Sequence, residues 1–214
     1  RVLLLHGDEI HHVLGALELP LYVTTNADNF LLAALQARGA QPRRIGPRWI
    51  QLQAGTPQWV LLPEPSAEAP VVFHLNGFDE DAEQQEHLVL SEDDYMAHLV
   101  RLTRDQEQLL PANVLRLLAE NSFLFLGYQL DDWEFRLILQ SMMKSLAGTN
   151  RTRKMHVGVQ LDPATSPSEP QVRDYLARYL GQFHIAIYWG TPQQFASELN
   201  ARWQTYLRTS EDSW

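Results

Sequence analysis

The chain has 214 residues with a hydrophobic fraction of 45%, which predicts a globular domain with a substantial core. Its net charge of −9 argues against direct nucleic-acid binding, because phosphate contacts need clustered Lys and Arg. The lack of cysteine excludes disulfides and fits a reducing cytoplasm, and no apolar stretch approaches the ~18–20 residues of a membrane span. The chain begins at Arg1, so we expect a single domain, spanning residues 1–214, cut from a longer multidomain polypeptide.

Strand patterns alternate with helix patterns along the chain, and this order is typical of an α/β fold with a parallel sheet covered by helices on both faces. Ser91 and Asp94 form a predicted capping box at the start of one helix. Residues 40–70 are rich in proline and predict an irregular loop or small lobe. The predicted strands are 19–25, 48–53, 59–62, 71–75, 123–126, 154–161 and 185–189, and the predicted helices are 30–38, 92–102, 111–120, 131–146, 172–180 and 193–207.

The first candidate motif is Thr24-Thr25-Asn26-Ala27-Asp28, at the end of a predicted strand. Ligands of open α/β sheets bind in the crevice at the carboxyl ends of the strands, so these polar side chains are placed to meet one. The amide of Asn26 offers both a donor and an acceptor to a water or a ribose hydroxyl. The alternative is that Asn26 and Asp28 only cap the following helix.

The second candidate motif is Phe73-His74-Leu75-Asn76-Gly77, also at a strand end. His74 is the titratable candidate for general-base catalysis, since its unperturbed pKa is near ~6.5. The alternative is a structural histidine with both ring nitrogens hydrogen-bonded. No spacing among the eight histidines suggests a metal site.

The third candidate motif is Gly127-Tyr128-Gln129-Leu130-Asp131-Asp132. It follows the apolar run 123–126, which predicts a buried parallel strand. Gly127 allows a ligand to approach the backbone, and a new helix N-terminus favours anions. Asp131 and Asp132 either contribute to such a site or serve only as helix caps. No G-x-G-x-x-G, P-loop or G-x-S-x-G pattern occurs in the chain.

In this order the three motifs resemble the SIR2-like family, bacterial relatives of sirtuins that are often effectors of antiphage defence. The family pattern contains T-T-N-Y-D, an H-G strand end, V-L-T-E-x-D-Y and F-x-G-Y-S-L-D-D-W. This chain offers Val23 to Asp28, then His87 to Tyr95, then Leu126 to Trp133. The resemblance covers nearly the whole chain and implies a Rossmann-like fold and NAD+ as substrate or ligand, without a metal.

The resemblance also implies residue roles. Asn26 would position the attacking water, Asp28 would hold the nicotinamide ribose, and His74 would stand in for the family's base. The residues that would contact the nucleotide are Thr24, Thr25, Asn76, Gly77, Gly127, Tyr128 and Gln129.

Three departures from the family pattern bear on activity. The family histidine directly before the strand-end glycine is Asn76 here, and asparagine cannot accept a proton at neutral pH. The Tyr of T-T-N-Y-D is Ala27, and no glycine-rich phosphate loop precedes the first motif in this chain.

Two hypotheses follow from these observations. The first is an NAD-binding effector domain of bacterial antiviral defence, of NAD+ glycohydrolase lineage, which would release nicotinamide if active. The second is a catalytically degenerate nucleotide sensor or protein-interaction scaffold. Expected partners are NAD or an ADP-ribose-like nucleotide, other domains of the same polypeptide, or defence-system proteins. Assembly into a homo-oligomer is left open by the sequence.

Overall fold

A computed structural model describes the chain over residues 9–47, 62–79, 87–104, 109–128, 136–137, 139–140, 155–160 and 169–211. The chain divides into two compact units, one formed by residues 14–117 and the other by residues 1–13 with 118–214. In the described part of each unit, three strands form a parallel sheet with helices around it. The parallel sheets and their helices confirm the predicted α/β, Rossmann-like class.

The described helices are α1 (Ile10–Ala16), α2 (Phe30–Ala37), α3 (Glu92–Arg104), α4 (Ala112–Glu120), α5 (Glu169–Gly181) and α6 (Pro192–Glu211). The described strands are β1 (Leu21–Thr24), β2 (Arg43–Ile45), β3 (Val71–His74), β4 (Leu124–Phe125), β5 (His156–Gln160) and β6 (Ile185–Trp189).

In the unit of residues 14–117, β3 is the central strand of the sheet, in the order β1-β3-β2. All four of its residues are buried, as expected for a central parallel strand flanked on both sides. The core beside it contains Tyr22, Leu35, Ala40 and Val72. Among the described strands, β1 pairs with β3 alone, and Val23 is exposed.

In the other unit, β5 is central in the order β4-β5-β6. Its core is a cluster of Leu139, Leu180 and Ile185, with Phe125 and Tyr128 packed against it. Strand β4 is shorter than predicted, since only Leu124 and Phe125 pair, and it is half-buried instead of buried. Its one neighbour among the described strands is β5, which accounts for the partial burial.

The capping box predicted at the start of α3 is confirmed. The Asp94 N–H donates to the Ser91 hydroxyl at 3.1 Å, and the Ser91 N–H donates back to the Asp94 carboxylate at 3.0 Å. Helix α6 begins with the same arrangement, in which Thr191 and Gln194 exchange hydrogen bonds. Each pair satisfies two backbone donors that a helix start would otherwise leave without partners.

Two elements were missed by the sequence analysis, namely α1 and the short strand β2. The predicted strand 48–53 lies outside the described residues, and so does the predicted strand 59–62 except for residue 62, which is not in a strand. The predicted helix after Asp131 is described at only four positions, 136–137 and 139–140, which are helical. None of the described helices is both long and apolar enough to cross a membrane.

Candidate functional site

The carboxyl ends of β1 and β3 lie side by side. Thr24 pairs with His74 in parallel register, and the Leu75 N–H donates to the Thr24 carbonyl at 2.7 Å. The first two candidate motifs therefore meet at one edge of the sheet, as parallel pairing requires. We call this group, from Thr24 to Asp28 and from His74 to Phe78, the strand-end edge.

In the first motif the backbone is shaped by short side chains. The Thr24 hydroxyl accepts a hydrogen bond from the Asn26 N–H at 3.1 Å. The Asp28 carboxylate accepts from the Phe30 N–H at 3.1 Å and so satisfies a donor at the start of α2. Asp28 thus bonds the first N–H of α2 from the position before the N-cap residue, Asn29, which makes no side-chain capping bond of its own. Thr25 is half-buried and Asn26 is exposed.

His74 is buried, with 1% of its surface exposed, and both of its ring nitrogens are engaged. Nδ1 lies 2.7 Å from the Asn26 carbonyl oxygen, and Nε2 accepts from Arg44 Nε at 3.3 Å. Burial lowers the pKa of His74, the Asn26 carbonyl partly offsets this, and the Arg44 charge lowers it further. The ring is therefore neutral at pH 7, and the geometry agrees with the structural alternative.

Asn76 and Gly77 form the turn after β3. The Asn76 carbonyl accepts from the Val89 N–H at 3.0 Å, and the Gly77 N–H donates to the His74 carbonyl at 3.1 Å. The Asn76 Oδ1 atom is buried and has no hydrogen-bond partner among the described residues. Gly77 has a φ of +79°, a conformation that glycine adopts without steric cost.

A buried histidine of α3, His98, lies near this turn. Burial lowers its pKa to about 4, and a contact with the Leu75 backbone opposes the shift. His98 is therefore neutral at physiological pH, and it packs α3 against the end of β3 without adding charge to the site.

Two residues of the strand-end edge, Arg44 and Phe78, were not predicted from the sequence. Arg44 extends from β2, and its guanidinium carbon lies 4.2 Å from the centre of the Phe78 ring. The His74 and Phe78 rings are also in contact, with centroids 5.2 Å apart. No local pattern marks Arg44, because β2 has only three residues and lies in a proline-rich segment.

The third motif belongs to the other compact unit, the one formed by residues 1–13 and 118–214. Gly127 has a φ of +78°, and a Cβ built there would meet no atom of the described residues within 4 Å. Tyr128 packs against the core of its own unit, and Gln129 lies outside the described residues.

A surface groove of about 580 Å³ lies at the opposite end of β2 from the strand-end edge. Arg43 and Glu64 line it, with Gln36 and Gln41. Arg43 donates to the carbonyls of Pro63 and Glu64, at 2.9 Å and 3.4 Å. The groove therefore lies at the amino ends of the strands, away from where ligands of open α/β sheets bind.

Within the described ranges, no group of three or more His, Asp or Glu side chains is arranged to hold a metal ion. The buried histidines are His74, His87, His98 and His156. His74 and His156 hydrogen-bond to other groups of the protein. His156 Nδ1, for example, accepts from the Phe123 N–H at 3.0 Å.

Comparison with known proteins agrees with the arrangement of the motifs. No curated protein matches the chain. A family model described as the SIR2-like domain matches residues 20–184, which include both motifs of the strand-end edge and Gly127. SIR2-like domains generally bind NAD+. The match covers most of the chain, and the chain therefore belongs to the SIR2-like domain family.

Proposed function

We propose that this chain is an NAD-binding effector domain of bacterial antiviral defence, of NAD+ glycohydrolase lineage, that acts in the cytoplasm. The observation that carries the proposal is the meeting of Thr24–Asn26 and His74–Gly77 at one sheet edge within a SIR2-like domain. Open α/β sheets bind nucleotides at this edge.

The strand-end edge offers groups that suit a nucleotide. The buried Oδ1 of Asn76 is an acceptor without a described partner, and a ribose hydroxyl is a donor that would satisfy it. The exposed side chain of Asn26 offers both a donor and an acceptor.

The polar groups of the strand-end edge suit cleavage of the nicotinamide–ribose bond. The transition state resembles an oxocarbenium ion, so it needs positioning and charge stabilisation more than a strong nucleophile. In this proposal Asn26 orients the attacking water and Asp28 lies near the nicotinamide ribose. Asn76 holds a ribose hydroxyl by a hydrogen bond but cannot remove its proton.

A second candidate function is a degenerate nucleotide sensor or a protein-interaction scaffold. The observation that favours it is that neither Asn76, at the position of the family's histidine, nor His74, two residues earlier, is ready to accept a proton. Asn76 cannot accept a proton, and both ring nitrogens of His74 are engaged with Arg44 and the Asn26 carbonyl. General-base catalysis by His74 would require Arg44 to release Nε2 first.

Nicotinamide release tests the enzymatic proposal. The purified full-length protein is incubated with NAD+, with and without lysate from phage-infected cells, and free nicotinamide is followed. Release that Asn26→Ala abolishes would support hydrolysis at the strand-end edge. Absence of release under every condition would contradict hydrolysis and leave binding as the function.

Calorimetry with NAD+ and ADP-ribose separates the sensor from the scaffold. Binding of either ligand without nicotinamide release would support a nucleotide sensor. Binding of neither would contradict the proposal of a nucleotide site and favour a protein-interaction scaffold. Asn113→Ala is a suitable control, because Asn113 donates to the Leu62 carbonyl, away from the strand-end edge.

A further inference from the structure

Arg44 connects two segments that are not neighbours in the sheet. Strand β3 separates β2 from β1, yet Arg44 of β2 reaches the loop after β1. Its Nη2 donates to the Ala27 carbonyl at 2.7 Å and to the Asp28 carbonyl at 3.4 Å. Its Nε donates to His74, which lies at the end of the strand between them.

The contacts of His74 determine its tautomer. The Asn26 carbonyl, 2.7 Å from Nδ1, can only accept a hydrogen bond, so Nδ1 must carry the hydrogen. Arg44 Nε can only donate, so the Nε2 lone pair must accept. Both contacts are satisfied together only by a neutral ring with its hydrogen on Nδ1.

The planar guanidinium is the side chain that fits these contacts. Nε and Nη2 point in fixed directions, so one group donates to an imidazole nitrogen and to a backbone carbonyl together. The face of the same group packs on the Phe78 ring at 4.2 Å, which stabilises its charge. A lysine ammonium keeps the charge but lacks this fork.

We propose that Arg44 is the positioning residue of the strand-end edge: it holds His74 as the neutral Nδ1–H tautomer and, with His74, fixes the backbone of residues 26–28. His74 holds the backbone carbonyl of Asn26, so the exposed Asn26 side chain extends from a fixed position. Fixing a binding group before the ligand arrives lowers the entropy cost of binding.

The tautomer is measured without any ligand. Protein labelled with ¹⁵N-histidine is examined by long-range ¹H–¹⁵N NMR at pH 7.5, and His74→Gln assigns the resonances. The expected spectrum shows protonated Nδ1 and unprotonated Nε2 for His74. Observation of the Nε2–H tautomer or of a charged ring in the wild-type protein would overturn the proposal. Arg44→Lys removes the donor to Nε2 and should make a share of the Nε2–H form or of the charged ring detectable. A spectrum identical to that of the wild-type protein would show that the Asn26 carbonyl alone holds the tautomer and would overturn the role of Arg44.

The effect on ligand affinity rests on the proposed function, and calorimetry measures it with NAD+. Loss of one fixed charge-assisted contact in Arg44→Lys should raise Kd about tenfold, which corresponds to about 1.4 kcal/mol. Arg43→Lys is the matched control, because Arg43 makes similar carbonyl contacts at 2.9 Å and 3.4 Å at the other end of β2. It should leave Kd within about twofold, a difference well below the ~1.4 kcal/mol of a tenfold change.

The possible results separate the two proposals. Equal NAD+ affinity of Arg44→Lys and Arg43→Lys would overturn the positioning role of Arg44. If the wild-type protein binds no NAD+, the proposed function fails, while the tautomer measurement still decides whether Arg44 controls His74. Circular dichroism of both variants verifies that each is folded.

Discussion

Gly77 is the position where one added methyl group tests the geometry of the strand-end edge. Its φ is +79°, and a Cβ there would lie 2.7 Å from the His87 carbonyl oxygen and 3.1 Å from the Leu88 Cα. Both are backbone atoms, so no side-chain rotation relieves the overlap. Gly77→Ala must therefore displace either the turn that carries Asn76 or the segment at 87–88.

Two costs add up in Gly77→Ala. A side chain in the left-handed region costs about 1–2 kcal/mol, and the overlap adds about 1–3 kcal/mol. The free energy of unfolding should therefore fall by about 2–5 kcal/mol. The matched control is Gly39→Ala in the same compact unit. Gly39 has a φ of +90°, but a Cβ there meets no atom of the described residues within 4 Å, so only the conformational cost applies.

Urea denaturation followed by circular dichroism compares the two variants. With a slope of about 2–3 kcal/mol per M, the overlap of about 1–3 kcal/mol places the midpoint of Gly77→Ala about 0.3–1.5 M below that of Gly39→Ala. Equal midpoints would refute the close approach between Gly77 and the backbone of His87, and with it the described position of the turn.

Three further predictions follow from other described contacts. Burial lowers the pKa of His98 from 6.5 to about 4. As the pH falls, His98 is therefore protonated in the unfolded chain at a higher pH than in the folded chain. The free energy of unfolding should drop by up to about 3 kcal/mol as the pH falls from 6.5 to 4. Urea titrations across this range should show that the free energy of unfolding of His98→Gln depends less steeply on pH. Ser91→Ala removes the cap of α3 and should cost about 1 kcal/mol in the same assay, with Ser91→Gly costing less; equal losses would argue against the cap. Asn76→His places a proton acceptor where the family pattern has histidine, directly before Gly77, and should increase nicotinamide release. An unchanged rate would show that the missing base does not limit the rate of the wild-type protein.

Elements with local sequence patterns were predicted well. Strand β6 has the predicted bounds, Ile185–Trp189, because an apolar run of strand length stands between turn residues. Helix α4 begins directly after Pro111, as the proline predicted. The reciprocal bonds of Ser91 and Asp94 confirm a cap that depends only on residues three positions apart.

Elements that depend on distant partners were not predicted. Strand β2 is a strand because Arg43, Arg44 and Ile45 pair with Val71, Val72 and Phe73, and no alternation over three residues indicates this. Helix α1 has only seven residues, too few for a clear period. The extent of β4 was overestimated, because pairing of Leu124 and Phe125 with β5 limits the strand more than the apolar run does.

The same distinction holds for the candidate site. The convergence of Thr24 and His74 followed from the rule that parallel strands end at one edge, and the register shows it. The contact of Arg44 with His74 could not be foreseen, because it depends on the order β1-β3-β2 and on a bond across 30 positions of sequence. That contact favours the structural alternative for His74, while its role as a base stays a prediction.

An NAD+ titration of ¹⁵N-labelled protein, followed by amide NMR, tests the central claim most directly. If the nucleotide binds at the strand-end edge, the largest shifts will occur at Asn26, Asn76 and Gly77, and Asn26→Ala will weaken them. Shifts confined to the groove beside Arg43, or no saturable shifts at all, would contradict a nucleotide site at this edge.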